Sequence, residues 1–210
     1  MKVKVCGITT VNQLKELEMM DVDFAGLIFH KPSPRYVLNE IKSPYSIKNE
    51  NINIKKVGVF VNESINTVID TAKEWELDMV QLHGDESPEF CKEIKSVVKT
   101  TKAFRIGDSS SFAIINAYSD VVDCFLFDTL GERYGGTGKQ FDWNLLTSTE
   151  INKPFFLSGG IGSDDVDKID EICNRTTSLF ALDLNSKFEI TPGIKDMDKL
   201  SVFLSSIYKK

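Results

Sequence analysis

The chain has 210 residues and a formal charge of −6, from 31 acidic against 25 basic side chains, and 41% of it is apolar, including 14 Phe. That apolar content sets it apart from disordered chains, and its length suits one or two domains, with one barrel of about 200 residues needing no staples. The acidic balance argues against a nucleic-acid-wrapping surface, although it leaves room for one small positive pocket.

Along the chain, β-branched or aromatic runs alternate with segments of helical spacing. A strand is predicted at Lys2–Cys6, then a helix over Val11–Met20 with Thr10 as cap and Leu14, Leu17 and Met20 inward. The second strand, Phe24–Phe29, precedes a weak helical segment over Glu40–Asn53 that Pro44 interrupts. Strand three, Lys55–Val61, leads into a helix over Ser64–Trp75 with Ser64 as cap and Ile65, Val68, Ile69 and Ala72 on one face. Strand four is Met79–Leu82. It is followed by a helix over Pro88–Val97, with Ser87 as cap and Pro88 at the first position, where a missing N–H costs nothing. Thr101–Arg105 and Cys124–Asp128 are the next strands, with no helix assigned between them, and Asp142–Thr147 supports only a short helix. Phe155–Ser158 precedes a helix over Ser163–Cys173, capped by Ser163, with Asp164 and Asp165 at its positive end and Val166, Ile169 and Cys173 inward. The series ends with strand Leu179–Asp183 and helix Asp196–Tyr208, whose Leu200, Phe203, Leu204 and Ile207 face inward.

Several strands are nearly continuous apolar runs, such as Val57 to Val61, the pattern of parallel strands covered on both faces. Eight strand–helix units of roughly 26 residues each point to an α/β fold, a (β/α)₈ TIM barrel forming a single domain over residues 1–210 with short helices and loops. A doubly wound open sheet is the structural competitor.

The four cysteines (Cys6, Cys91, Cys124 and Cys173) lack C-x-x-C spacing, and only His30 and His83 could join them, so a zinc site is not expected. Reduced thiols in a cytoplasmic protein are the simpler reading. No apolar targeting segment, membrane-length run, P-loop, serine elbow or G-x-G-x-x-G motif is present in the sequence.

In a barrel, function belongs to the loops after the strands, and the unusual polar residues collect there. Gly135, Gly136, Thr137 and Gly138 follow strand six, and Gly159 and Gly160 follow strand seven. Each cluster alone is either a tight loop or a nest of N–H groups; together they match the recurrent barrel phosphate site. Cys6, at the end of strand one, reads on its own as a small buried hydrophobe. A modest pKa decrease in electropositive surroundings would make it a base. Asp128 is either a loop-capping carboxylate or a proton donor raised by apolar neighbours. Arg35 is an exposed loop charge or a bidentate clamp for a planar carboxylate. His83 and Asp183 each read equally as a substrate contact or a loop hydrogen-bonder. Cys91, Cys124 and Cys173 read as packing residues.

In order along the chain, Lys4-Val5-Cys6-Gly7-Ile8-Thr9, Ser33-Pro34-Arg35-Tyr36-Val37, Val57-Gly58-Val59-Phe60-Val61-Asn62, Gln81-Leu82-His83-Gly84-Asp85-Glu86, Gly135-Gly136-Thr137-Gly138, Ser158-Gly159-Gly160-Ile161 and Pro192-Gly193-Ile194-Lys195-Asp196 resemble the phosphoribosylanthranilate isomerases of tryptophan biosynthesis. Each piece is weak alone, but their joint order spans nearly the whole chain. The resemblance implies an Amadori rearrangement of a phosphorylated small-molecule substrate, with Cys6 as general base poised to lose a proton and Asp128 as general acid held protonated. It further implies Arg35 on the anthranilate carboxylate, with His83 and Asp183 as further substrate contacts. Phosphate would be held by Gly136, Thr137, Gly138, Gly159, Gly160, Asn185 and Ser186. No metal or organic cofactor, nucleic acid or membrane is implied, and monomer and homodimer both stay open.

One segment departs from the family pattern. A serine-serine-glycine-valine-glutamate run is common after strand eight, where this chain reads Asn185-Ser186-Lys187-Phe188-Glu189. Lys187 either crowds a backbone phosphate contact or lends the phosphate a charge. An indole-forming synthase of the same pathway would use a strand lysine as acid, for which Lys102 is the expected interior candidate. Histidine-pathway isomerases would carry Asp rather than Cys after strand one.

Overall fold

The computed structural model describes residues 1–131 and 140–208. Its first half runs β1 (Lys2–Cys6), α1 (Val11–Met19), β2 (Phe24–Ile28), α2 (Tyr45–Lys48), β3 (Lys55–Phe60), α3 (Ile65–Glu74), β4 (Met79–Leu82) and α4 (Pro88–Lys95). The second half runs β5 (Lys99–Ile106), β6 (Cys124–Thr129), α5 (Asn144–Ser148), β7 (Phe155–Leu157), α6 (Val166–Arg175), β8 (Leu179–Leu184), β9 (Glu189–Thr191), β10 (Ile194–Lys195) and α7 (Met197–Tyr208). Strands β1 to β8 pair in sequence order, and β8 returns to β1 in parallel register with Lys4 opposite Asp183, so the sheet is a closed barrel rather than an open one.

Period-two alternation explains why the strands read as unbroken apolar runs. One set of side chains, including Phe24, Val57, Met79, Leu126 and Phe156, fills the barrel interior. The other set, including Val3, Val5, Leu27, Leu82, Phe125 and Phe127, packs under the helices. Thr10, Ser64 and Ser87 cap their helices as expected, each side-chain oxygen accepting from the backbone N–H three residues on.

The structure differs from the predicted elements in several places. Ser163 does not cap a helix: Ser163–Asp165 is a 3₁₀ turn, and Asp165 instead turns back to accept from Gly162 N (2.8 Å), so α6 begins at Val166. From that start Ile169 and Ile172 face the core, while Cys173 is exposed against Met1. Between β5 and β6 lies a 3₁₀ helix over Ser109–Tyr118 that buries Phe112 and Ile115, a three-residue spacing matching its three residues per turn. Finally, β9 and β10 form an antiparallel hairpin turning at Pro192 and Gly193. Thr9 Oγ1 (2.7 Å) and Gln13 Nε2 (3.0 Å) donate to the Gly193 carbonyl, tying this hairpin to the loop after β1.

Candidate active site

Closure brings the C-terminal ends of all eight strands to one rim. There a cavity of about 760 Å³, open to solvent, is lined by Cys6, Arg35, His83, Asp128, Gly159, Gly160, Asp183, Asn185 and Ser186, all of them expected site residues. The expected phosphate contacts Gly136, Thr137 and Gly138 lie outside the described residues.

Cys6 ends β1 directly opposite Gly26 of β2. A Cβ at position 26 would fall 2.8 Å from Cys6 Sγ and 2.9 Å from Cys6 Cα, so only glycine leaves the thiol its place. Gly26→Ala is therefore expected to displace Cys6, costing about 1–3 kcal/mol by overpacking and most of the activity. A thermal melt paired with a turnover assay reads both effects.

Beneath Cys6, on the same face of β1, lies Lys4, 1% exposed, whose Nζ donates to Asp183 Oδ1 at 2.8 Å. Burial works against the Lys4 charge, but Asp183 and Cys6 outweigh it and hold the ammonium above its usual range. Burial also pushes the Asp183 carboxyl up, against the pull of Lys4. The expected depression of the Cys6 thiol is not found: burial pushes it up, opposed by Lys4 and Lys195, with Asp183 adding to the rise. Electropositive neighbours are present, but in a thiol this buried the loss of water outweighs them.

Across the cavity, Asp128 ends the inward face of β6. Its Oδ1 accepts from Thr129 N (2.9 Å), and Oδ2 lies 3.3 Å from His83 Nε2. The Gln81 amide donates to His83 Nδ1 (2.8 Å), which puts the imidazole proton on Nε2. That nitrogen is in electrostatic range of Asp128 yet off the line of a hydrogen bond, so among the described residues it is a buried donor without a hydrogen-bond partner.

Arg35 is not a free loop charge. Its Nε (2.8 Å) and Nη2 (2.6 Å) donate to the Glu189 carboxylate. Lys195 Nζ also reaches Glu189 (2.8 Å) and Asn185 Oδ1 (2.8 Å). Burial disfavours the Glu189 charge, yet Arg35 and Lys195 hold its carboxyl below the usual range. Burial pushes Lys195 down in turn, against Glu189. Glu189, Lys195, Lys4 and Gln81 were not singled out from the sequence. Gln81 carried a usable signal, sharing strand alternation with His83.

The loop after β7 carries two successive positive-φ glycines, Gly159 (φ 91°) and Gly160 (φ 67°). A Cβ on Gly159 would meet Thr129 Oγ1 at 2.3 Å, so the chain crosses the end of β6 only as glycine. Lys187, exposed in a 3₁₀ turn over Ser186–Phe188 beside Gly162 of the loop after β7, lines the same cavity without a positive φ. Its carbonyl accepts from Lys199 Nζ (2.7 Å), and the adjacent Phe188 is fully buried against Phe203. Lys102 is corrected: it is buried but points out of the barrel, donating to Gly84 O (2.7 Å) and Glu86 Oε2 (3.1 Å), and the lysine within the barrel is Lys4. Among the described residues no group of three or more His, Cys, Asp or Glu is arranged to hold a metal, and no helix is long and apolar enough to cross a membrane.

Residues 3–206 match the family model for N-(5′-phosphoribosyl)anthranilate isomerase. The protein of that name from Parabacteroides distasonis is 40% identical over 208 residues, covering 99% of this chain and 93% of the relative. Among solved structures, monomers generated from the dimeric phosphoribosylanthranilate isomerase of Thermotoga maritima superpose with a TM-score of 0.83 at 30% identity, covering 100% of this chain and 99% of theirs. A phosphoribosylanthranilate isomerase in complex with reduced 1-(o-carboxyphenylamino)-1-deoxyribulose 5-phosphate gives 0.82 at 28% identity, with 100% and 99% covered.

Proposed function

Since the chain belongs to the N-(5′-phosphoribosyl)anthranilate isomerase family, we propose that it converts N-(5′-phosphoribosyl)anthranilate to 1-(2-carboxyphenylamino)-1-deoxyribulose 5-phosphate, with Asp128 as general acid and Cys6 as general base. Asp128 gives its proton to the ribose ring oxygen as the C1–O bond breaks, while the anthranilate nitrogen supplies the electron pair that makes the iminium. Cys6 then takes the proton from C2, and the freed pair forms the C1–C2 double bond as the iminium collapses to an enolamine. Tautomerisation moves the enol proton to C1 and leaves the ketone at C2. The oxidation at C2 and the reduction at C1 cancel within one molecule, so the reading calls for no external electron carrier.

The observation that carries this reading is that Cys6 and Asp128 line one cavity at the C-terminal rim of the barrel. Arg35 supports it: Glu189 occupies the Nε and Nη2 edge, leaving the Nη1 end of the guanidinium for the anthranilate carboxylate. The Gly159–Gly160 turn, with Asn185 and Ser186 of the loop after the neighbouring β8 lining the same cavity, suits the phosphate. The decisive assay follows the fluorescence of freshly generated phosphoribosylanthranilate; its enzyme-dependent loss is expected. Binding of the reduced product analogue without turnover would make the chain a binding protein instead.

Lys187 belongs to this reading as a charge donated to the phosphate, because it faces the cavity and no carboxylate pairs with it among the described residues. Lys187→Gly is expected to weaken binding of the reduced product analogue by up to ~1 kcal/mol, the range of an exposed ion pair. The loss should shrink at high salt. Unchanged affinity in titration calorimetry would make the substitution irrelevant to phosphate.

A further inference from the structure

Lys4 is a fully buried charge of the barrel interior that the reaction scheme leaves unused. It sits two residues before Cys6 on the same face of β1, and its backbone is in register with Asp183 of β8. It is 1% exposed and is absent from the residues lining the cavity, so it does not meet the substrate. Its Nζ donates to Asp183 Oδ1 at 2.8 Å and has the Cys6 thiol as a further side-chain partner, which fixes the ammonium under the thiol. A lysine buried this deeply in a barrel is costly unless its charge is answered. Asp183 answers one positive charge with one negative charge, and the net field at Cys6 depends on which of the two is nearer.

We infer that Lys4 is a positioning residue whose ammonium, clamped by Asp183 beneath the cavity, receives the negative charge that forms on Cys6 when the thiol takes up its role as base. This inference rests on the assignment of Cys6 as base. The groups facing Cys6 are Lys4 on its own strand, Asp183 of β8, Lys195 of β10 and Arg35 of the loop after β2, with Asp128 of β6 acting on Asp183. Of the charged neighbours, Lys4 acts most strongly on the thiol and favours its ionised form. Lys195 acts in the same sense but is also committed to Glu189 and Asn185.

The test compares wild type, Lys4→Met and Lys4→Arg, all in a Cys173→Ser background so that the exposed thiol does not react. Iodoacetamide labelling of Cys6 is followed by mass spectrometry as a function of pH, without substrate. Lys4→Met is expected to slow labelling about tenfold at fixed pH, moving its midpoint up by about one unit. It should lower kcat with little change in KM, and Lys4→Arg should recover most of both. Because Lys4→Met leaves Asp183 buried and unpaired, Asp183→Asn is compared with the Lys4→Met/Asp183→Asn double variant. The double variant, which buries no lone charge, should still label more slowly than Asp183→Asn alone. Identical labelling profiles in that pair, or a wild-type midpoint in folded Lys4→Met, would overturn the inference while leaving Cys6 as base. Full turnover by Cys6→Ala would instead remove the base assignment itself.

Discussion

Asp128→Asn and Cys6→Ala are each expected to lower kcat by about 10²–10⁴-fold, the range that a positioned acid or base contributes. Binding of the reduced product analogue should stay within about threefold of wild type, since neither change removes a carboxylate or phosphate contact. Asparagine keeps the shape of Asp128 and can still accept from Thr129 N, so loss of activity there reports the missing proton rather than a collapsed loop. The double variant should be little worse than either single, because ring opening and C2 deprotonation are successive steps of one path. The pH profile adds an independent check on the base. Burial holds the Cys6 thiol above its ordinary value, and the base works as thiolate. The thiolate fraction of Cys6 therefore grows as pH rises, and its ultraviolet thiolate absorbance, measured in free enzyme against Cys6→Ala, should still be climbing as pH passes about 8.5, the ordinary thiol value. A Cys6 titration already complete near neutrality would contradict a thiol raised by burial.

How much of this was legible beforehand follows from where each signal sits along the chain. The strands were readable because a parallel strand covered on both faces has no polar alternation to hide it, as in Val57 to Phe60. Cys6, Asp128 and Asp183 were readable because each falls at or near the end of an apolar strand, where a barrel keeps its chemistry. Lys4 was not: flanked by Lys2 and valines it reads as one rung of an exposed edge, and only closure against β8 turns that face inward. The pairing of Arg35 with Glu189 spans 154 residues and leaves no local trace. Proline and glycine at 192 and 193 did mark a turn, and Ile190 and Ile194 flank it, but strands this short fall below the length that periodicity resolves. The Ser109–Tyr118 segment was missed because its three-residue repeat matches neither the strand period nor that of an α-helix.

Glu189→Gln is expected to damage both stability and substrate recognition, because one carboxylate serves two cations. Its side chain is 4% exposed, and that of its partner Lys195 is 0% exposed. Removing the charge leaves the Lys195 ammonium buried with neutral acceptors only, Asn185 Oδ1 and the amide oxygen that replaces the carboxylate, and taking the charge partner from a buried ion typically costs about 3–5 kcal/mol. Adding Lys195→Met should return much of that loss, since the orphaned charge and not the missing attraction is the larger cost. Recognition should not return with it. Arg35 would still lack the carboxylate that fixes its Nε and Nη2 edge, and KM should remain raised by about tenfold, or ~1.4 kcal/mol. The pH dependence has a definite sign. The Glu189 carboxyl is held below its unfolded value, so its contribution is complete above about pH 4.3 and is lost as pH falls through the lower folded value. Acid unfolding of the wild type should therefore include a proton uptake that Glu189→Gln lacks, measurable as a shallower dependence of melting temperature on pH below about 4.3. A Glu189→Gln protein with wild-type stability and KM would mean that Arg35 and Lys195 are oriented without it.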